Sequence, residues 1–184
     1  MKKILLIIIL IMAIFQLVVL ATAIVIGNEA SNRAGTLSTS ATWIAKDGAA
    51  DGTGTITTIE IWANSAMAGV EVATFFAVDA THFTTRDYET IQIAGQAAGV
   101  VPSGSKQTAT VNLDVVTGDY IGIYWASGTI ERGDPGNIRK LDGDKIPCDN
   151  QAELGGYTTI ILSLKGIGAT VEVGGNAIMM GINF

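Results

Sequence analysis

Residues Ile4 to Ile26 form one apolar run interrupted only by Gln16 and Thr22, behind a short cationic start at Lys2 and Lys3. As a helix rising ~1.5 Å per residue, the run covers roughly 34 Å, enough to cross a hydrocarbon core of ~30 Å. Positive charge followed by apolar length is the order of an export segment whose basic end stays on the cytoplasmic side. Ala21-Thr22-Ala23 matches the small-x-small signature of a cleavage site, whereas the length of the run suits a retained anchor. Residues 1–27 therefore read as a signal peptide or a signal anchor forming an N-terminal hydrophobic helix, with 28–35 as a short linker. With either fate the remainder faces the outside of the membrane, at an extracellular or cell-surface location, and residues 4–26 contact the bilayer if uncleaved. The single cysteine, Cys148, lies far from this segment, so no lipid-attachment cysteine follows it. Residues 4–20 contain no acidic side chain, which sets the run apart from a type IV pilin helix.

Charge narrows the partners. Among 184 residues, 11 Lys and Arg face 17 Asp and Glu for a net charge of −6, and without Lys2 and Lys3 nine against 17 leave −8. Nucleic acid and anionic membrane surfaces both demand a basic patch, so neither is the expected partner. One cysteine also means no internal disulfide, so an exported body of this size must be held by its core.

From Thr36 onward the hydrophobic period is two. Ile56-Thr57-Thr58-Ile59-Glu60-Ile61-Trp62 and Thr110-Val111-Asn112-Leu113-Asp114-Val115 largely alternate apolar and polar residues, as a strand with one buried face does. Further strands are expected at 42–46, 70–78, 88–94, 120–126, 157–165, 170–173 and 177–184, with a tight turn at Gly174-Gly175. Gly-, Asp- and Ser-rich loops separate them at 47–54, 79–86, 95–105 and 133–156. About nine short strands without crossover helices predict an all-β fold, an antiparallel two-sheet β-sandwich of jelly-roll type, as a single domain over 36–184.

The runs Ile59-Glu60-Ile61-Trp62, Val72-Ala73-Thr74-Phe75-Phe76, Thr85-Arg86-Asp87-Tyr88, Gly118-Asp119-Tyr120-Ile121-Gly122-Ile123-Tyr124 and Gly143-Asp144-Lys145-Ile146-Pro147-Cys148 resemble an uncharacterised β-sandwich family. That family recurs in environmental and phage-associated sequences, in surface or secreted proteins. The resemblance covers about residues 36–165 and implies a fold and a surface location, without a catalytic signature.

Chemistry-bearing residues are sparse. His82 is the only histidine and reads as a solvated turn residue beside Thr84 and Thr85, so no catalytic triad is expected. Cys148 after Pro147 has no neighbouring Cys or His at zinc-site spacing and reads as an inert thiol. Glu131, Asp142 and Asp144 fall in one Gly-rich stretch and supply the hard oxygens that Ca²⁺ prefers, although Arg132, Arg139, Lys140 and Lys145 interleave with them. No other cofactor is expected. Tyr120 and Tyr124 share a strand face with only Gly122 between them, the spacing of a platform for a sugar ring. Trp43, Trp62 and Tyr88 read as core or edge packing. Ile178, Met180, Ile182 and Phe184 alternate towards the C-terminal end, as an outer-membrane barrel strand does, or a strand that pairs with a neighbouring subunit.

Together these features predict an exported, non-catalytic structural or adhesion module. Its expected partners are further copies of itself or another cell-surface component. The alternative is a carbohydrate-binding module using Tyr120 and Tyr124 on a glycan, followed by a glycan-active enzyme or an outer-membrane barrel.

Overall fold

The computed structural model describes residues 21–38 and 41–170, and every regular element among them is a strand. The helix expected before residue 21, the strand at 177–184 with Ile178, Met180, Ile182 and Phe184, and the Gly174-Gly175 turn lie outside the described residues. In chain order the strands are β1 (Ala23–Gly27), β2 (Gly35–Ser38), β3 (Ala41–Ala45), β4 (Gly54–Ala68), β5 (Glu71–Ala77), β6 (His82–Thr90) and β7 (Lys106–Val115). They continue as β8 (Tyr120–Tyr124), β9 (Ser127–Gly133), β10 (Ile138–Asp142), β11 (Gln151–Ala152), β12 (Gly155–Tyr157), β13 (Ile161–Leu162) and β14 (Leu164–Thr170). All strand pairs are antiparallel and form two curled sheets. The first runs β1-β14-β4-β9-β13, with β7 also on β4 and β2 also on β9, and the second runs β11-β6-β5-β8-β3-β10-β12.

The main core draws on both sheets. Ile24 and Ile26 of β1, Ile56, Ile59 and Ile61 of β4, and Leu113 of β7 meet Ile121 and Ile123 of β8 and Trp125 beyond it. The alternation in β7 is the one the sequence predicts, with Ala109, Val111, Leu113 and Val115 buried and the residues between them exposed. A second core lies on the opposite face of the second sheet, where Ile44, Ala73, Phe75, Phe83 and Leu141 pack with Ile146. Strand β3 is consequently buried along its whole length.

The second core is covered by residues 143–150. Thr42 fixes the start of this cover by donating from its hydroxyl to the Gly143 carbonyl (3.0 Å) and accepting from the Lys145 amide (2.8 Å). Its far end is held by Thr85, whose hydroxyl accepts from the Cys148 amide (2.9 Å) and whose amide donates to the Cys148 carbonyl (2.9 Å). The chain then joins the two edges of the sheet. Gln151 and Ala152 pair with Phe83 and His82 at one edge, and Gly155, Gly156 and Tyr157 pair with Lys140, Arg139 and Ile138 at the other. Between them the amides of Glu153 and Leu154 donate to the carbonyls of Thr81 and Lys140, both at 2.8 Å. An Arg139–Glu153 ion pair at 2.8 Å fastens this bridge.

Edges of the first sheet are covered by side chains and loops. The outward amides of β1 donate to the Asp51 carboxylate from Val25 (2.8 Å) and to the Gly48 carbonyl from Gly27 (2.6 Å). Those of β7 donate to Glu89 from Asn112 and to Asp87 from Asp114, both at 2.9 Å. Acidic side chains thus satisfy backbone donors that an open edge would offer to another chain.

Several boundaries differ from the sequence reading. Residues 23–27, grouped by hydropathy with the export segment, form β1, because the alternation of Ile24 and Ile26 is invisible at the end of a longer apolar run. Residues 28–35 are tied down rather than free. Ala30 is buried, and Arg33 donates from its amide to Glu131 (3.1 Å) and from Nε to the Ser163 hydroxyl (2.8 Å). Strand β6 begins at His82, inside the stretch 79–86 expected as a loop, and β10 and β11 lie inside 133–156.

Asp119, 2% exposed, holds three segments at once. Its carboxylate pairs with Arg86 of β6 through Nε and the second guanidinium nitrogen and accepts from the Val116 amide (2.8 Å), while its carbonyl accepts from Ala50 (2.8 Å). Arg86 in turn lies over the Phe76 ring, 5.1 Å from its centroid. Removing one partner of a pair buried in this way costs about 3 kcal/mol or more, since the other charge is left without compensation. Asp119→Ala is therefore expected to lower the unfolding free energy by about that amount in urea titration. An effect under roughly 1 kcal/mol would make the pair peripheral.

Candidate functional site

Tyr120 and Tyr124 stand at the two ends of β8 on the face that carries the second core, and both are half-buried against it. The space between them is filled. Phe75 of β5 lies so close over Gly122 that a Cβ there would stand 2.5 Å from its ring carbon Cε2. Tyr120 meets Phe83 edge-on with centroids 6.3 Å apart. Glycine at 122 thus makes room for a core phenylalanine, and the tyrosines are the rim of that core.

The acidic residues are brought to different places. Glu131 is on β9 of the first sheet, where the Arg33 amide and the Asn64 side-chain amide (2.9 Å) donate to it under the 28–35 segment. Asp142 ends β10 on the second sheet, and Asp144 lies beyond it in the cover, accepting from the Ile146 amide (3.1 Å). Asp144 faces Glu71, whose carboxyl is pushed up from its ordinary range by burial and then by the Asp144 charge. Among the described residues no three His, Cys, Asp or Glu side chains converge as metal ligands.

His82 and Cys148 both serve local structure. The Asp79 carboxylate accepts from the amides of Thr81 (2.7 Å) and His82 (2.8 Å) and pairs with His82 Nδ1 (2.9 Å), closing the turn into β6. Cys148 packs against the second core, and burial raises its thiol above the ordinary value.

A different group of side chains is left uncommitted. Trp43 of β3 pairs in register with Lys140 of β10, and Lys140 pairs with Gly155 of β12, so these three positions share one face of the second sheet. Tyr157 lies two residues along from Gly155 and shares that face. Its ring is 46% exposed and tilts over the Trp43 ring with centroids 5.8 Å apart. The Lys140 ammonium stands 5.7 Å from the Trp43 ring centroid and has no carboxylate partner among the described residues. Trp43 itself is 5% exposed, and its Nε1 has no hydrogen-bond acceptor among the described residues. Composition and period offer no signal for this group, because Lys140 comes from a stretch that reads as loop and Tyr157 opens an expected strand with nothing to show that it meets Trp43.

Two measurements check the local assignments. A thiol-specific reagent at pH 8 should modify Cys148 at least about tenfold more slowly in the folded chain than in urea, since thiolate supply and access are both reduced. Asp79 should titrate at about 2, held below its ordinary 3.8 chiefly by the Thr81 amide and then by the His82 side chain. A carboxyl depressed in this way stabilises the turn above the ordinary value and loses that contribution as pH falls towards 2. Carbon-detected NMR of the Asp79 carboxyl reads the midpoint.

No known protein family matches the chain, and none of the curated proteins is similar to it in sequence.

Proposed function

We propose that the chain is an exported, non-catalytic structural or adhesion module of a cell surface, built as a jelly-roll-like sandwich. The observation that carries this reading is how its buried and half-buried charged side chains are employed. Asp119 and Arg86 join β6 to the turn before β8, Arg139 and Glu153 fasten the bridge across the second sheet, and Glu131 pins the segment leading to β2. Each holds chain to chain, which suits a rigid scaffold better than a reaction centre. An export-type run that leads straight into β1 and a net charge of −6 agree with a body working outside the membrane.

Covered edges bear on how such a module associates. With β1 and β7 capped and the edges of the second sheet joined, contacts with partners fall to the β2 edge, to faces and loops, or to the alternating residues Ile178, Met180, Ile182 and Phe184.

Labelling of intact cells that express the full chain tests the location. A membrane-impermeant amine reagent should modify the lysines without lysis, and modification only after lysis would overturn the exported reading. Light scattering of the detergent-solubilised full chain tests assembly. Particles larger than one chain per micelle are the outcome for a coat or fibre, and single chains leave adhesion as the working role.

A further inference from the structure

We propose that Tyr157, Lys140 and Trp43 form a binding site for a pyranose ring of a glycan, at the β10-β12 edge of the second sheet. This deepens the adhesion reading above and rests on it. The exposed Tyr157 ring offers an apolar face of the kind that stacks on the C–H face of a sugar. Its neighbours supply donors only. Lys140 carries an ammonium with no carboxylate partner among the described residues, and the Trp43 N–H beneath is buried without an acceptor. A group bearing oxygen acceptors would pair the Lys140 ammonium, with the buried Trp43 ring as the floor under Tyr157. Space for that group is present beside the ammonium. Gly155, directly opposite Lys140, has no described atom within 4 Å of where a Cβ would lie.

An aromatic wall, an unpaired cation, a donor beneath and a glycine gap beside them match a flat, acceptor-rich ring. Hydroxyl and ring oxygens would take the donors, and a uronic carboxylate would also neutralise Lys140. Tyr120 and Tyr124, the pair that periodicity singles out, have no comparable opening because Phe75 fills the space between them.

Titration calorimetry of the detergent-solubilised full chain with two probes tests the site, oligogalacturonate for an acidic ring and cello-oligosaccharide for a neutral one. At least one probe is expected to bind and to change tryptophan emission. Tyr157→Ala and Lys140→Met should each weaken binding about tenfold, and Tyr157→Phe, which keeps the ring, should stay within about threefold. Trp43→Phe should remove the emission change. Loss of the Lys140→Met effect with the neutral probe but not the acidic one identifies the carboxylate as the partner of the ammonium. Circular dichroism confirms that each variant is folded, and Tyr157→Phe against Lys140→Met decides the matter if Tyr157→Ala is not. The site is overturned if neither probe binds, or if both Tyr157→Ala and Lys140→Met bind as wild type does. That result leaves the exported module standing, whereas failure of surface labelling removes the module's location without altering the binding result.

Discussion

A β-sheet buried on both faces must be covered twice, and that constraint organises this molecule. The central strands β3, β5 and β8 carry Trp43, Val72 and Ile123 towards the first sheet and Ile44, Phe75 and Tyr124 towards the other side. With the first sheet covering only one face, the second exists as a core only because residues 143–150 lie across it and 151–157 tie its edges together. Burial of the six residues Ile44, Ala73, Phe75, Phe83, Leu141 and Ile146 supplies the driving force for that cover, at about 25 cal/mol per Å² of apolar surface removed from water. Polar bonds from Thr42 and Thr85 then fix where it lies. Gly122 follows from the same constraint, because any side chain there would collide with Phe75 and open the layer it belongs to.

Acidic composition acquires a structural use in the same frame. Asp51, Asp87 and Glu89 accept from outward-facing strand amides, Asp79 closes a turn, and Asp119 and Glu153 pair with arginines. A carboxylate in such a position does two things. It satisfies a backbone donor that would otherwise template another strand, and it places negative charge along the edge, so that two copies repel there.

How much of this is legible in the sequence depends on which residues are asked. Strand β7 is readable in full because one face meets water and the other the core, which is the condition under which a period of two survives. Strand β3 is readable as a strand but its two-sided burial is not, since Thr42 looks like a solvent residue until its hydroxyl is seen bonding the cover. Strand β9 goes unassigned and β10 reads as loop because Glu131, Arg132, Arg139 and Lys140 make them look solvated, whereas Glu131 and Arg139 are spent on contacts within the fold. For the tyrosines, periodicity places Tyr120 and Tyr124 on one face correctly. It does not disclose that Phe75, distant in sequence, stands between them. Tyr157 is the converse, a residue after two glycines whose neighbours Trp43 and Lys140 are supplied entirely by register.

The start of the first sheet is the last consequence of register. Strand β1 starts at Ala23, and Thr22 before it already exchanges bonds with Thr170, accepting from its amide (2.9 Å) and donating to its hydroxyl (3.0 Å). Cleavage after Ala23 would leave Ile24 as the first residue, and its fully buried side chain would remain on the chain with that of Ile26. Within the described sheet the loss is then the Thr22–Thr170 pair and the Ala23–Ala169 position beside it, at the exposed end of the sheet, on the order of 1 kcal/mol for each solvent-facing hydrogen bond. The described core, with Ile24 and Ile26 in it, is therefore kept whether or not the chain is cut at that point.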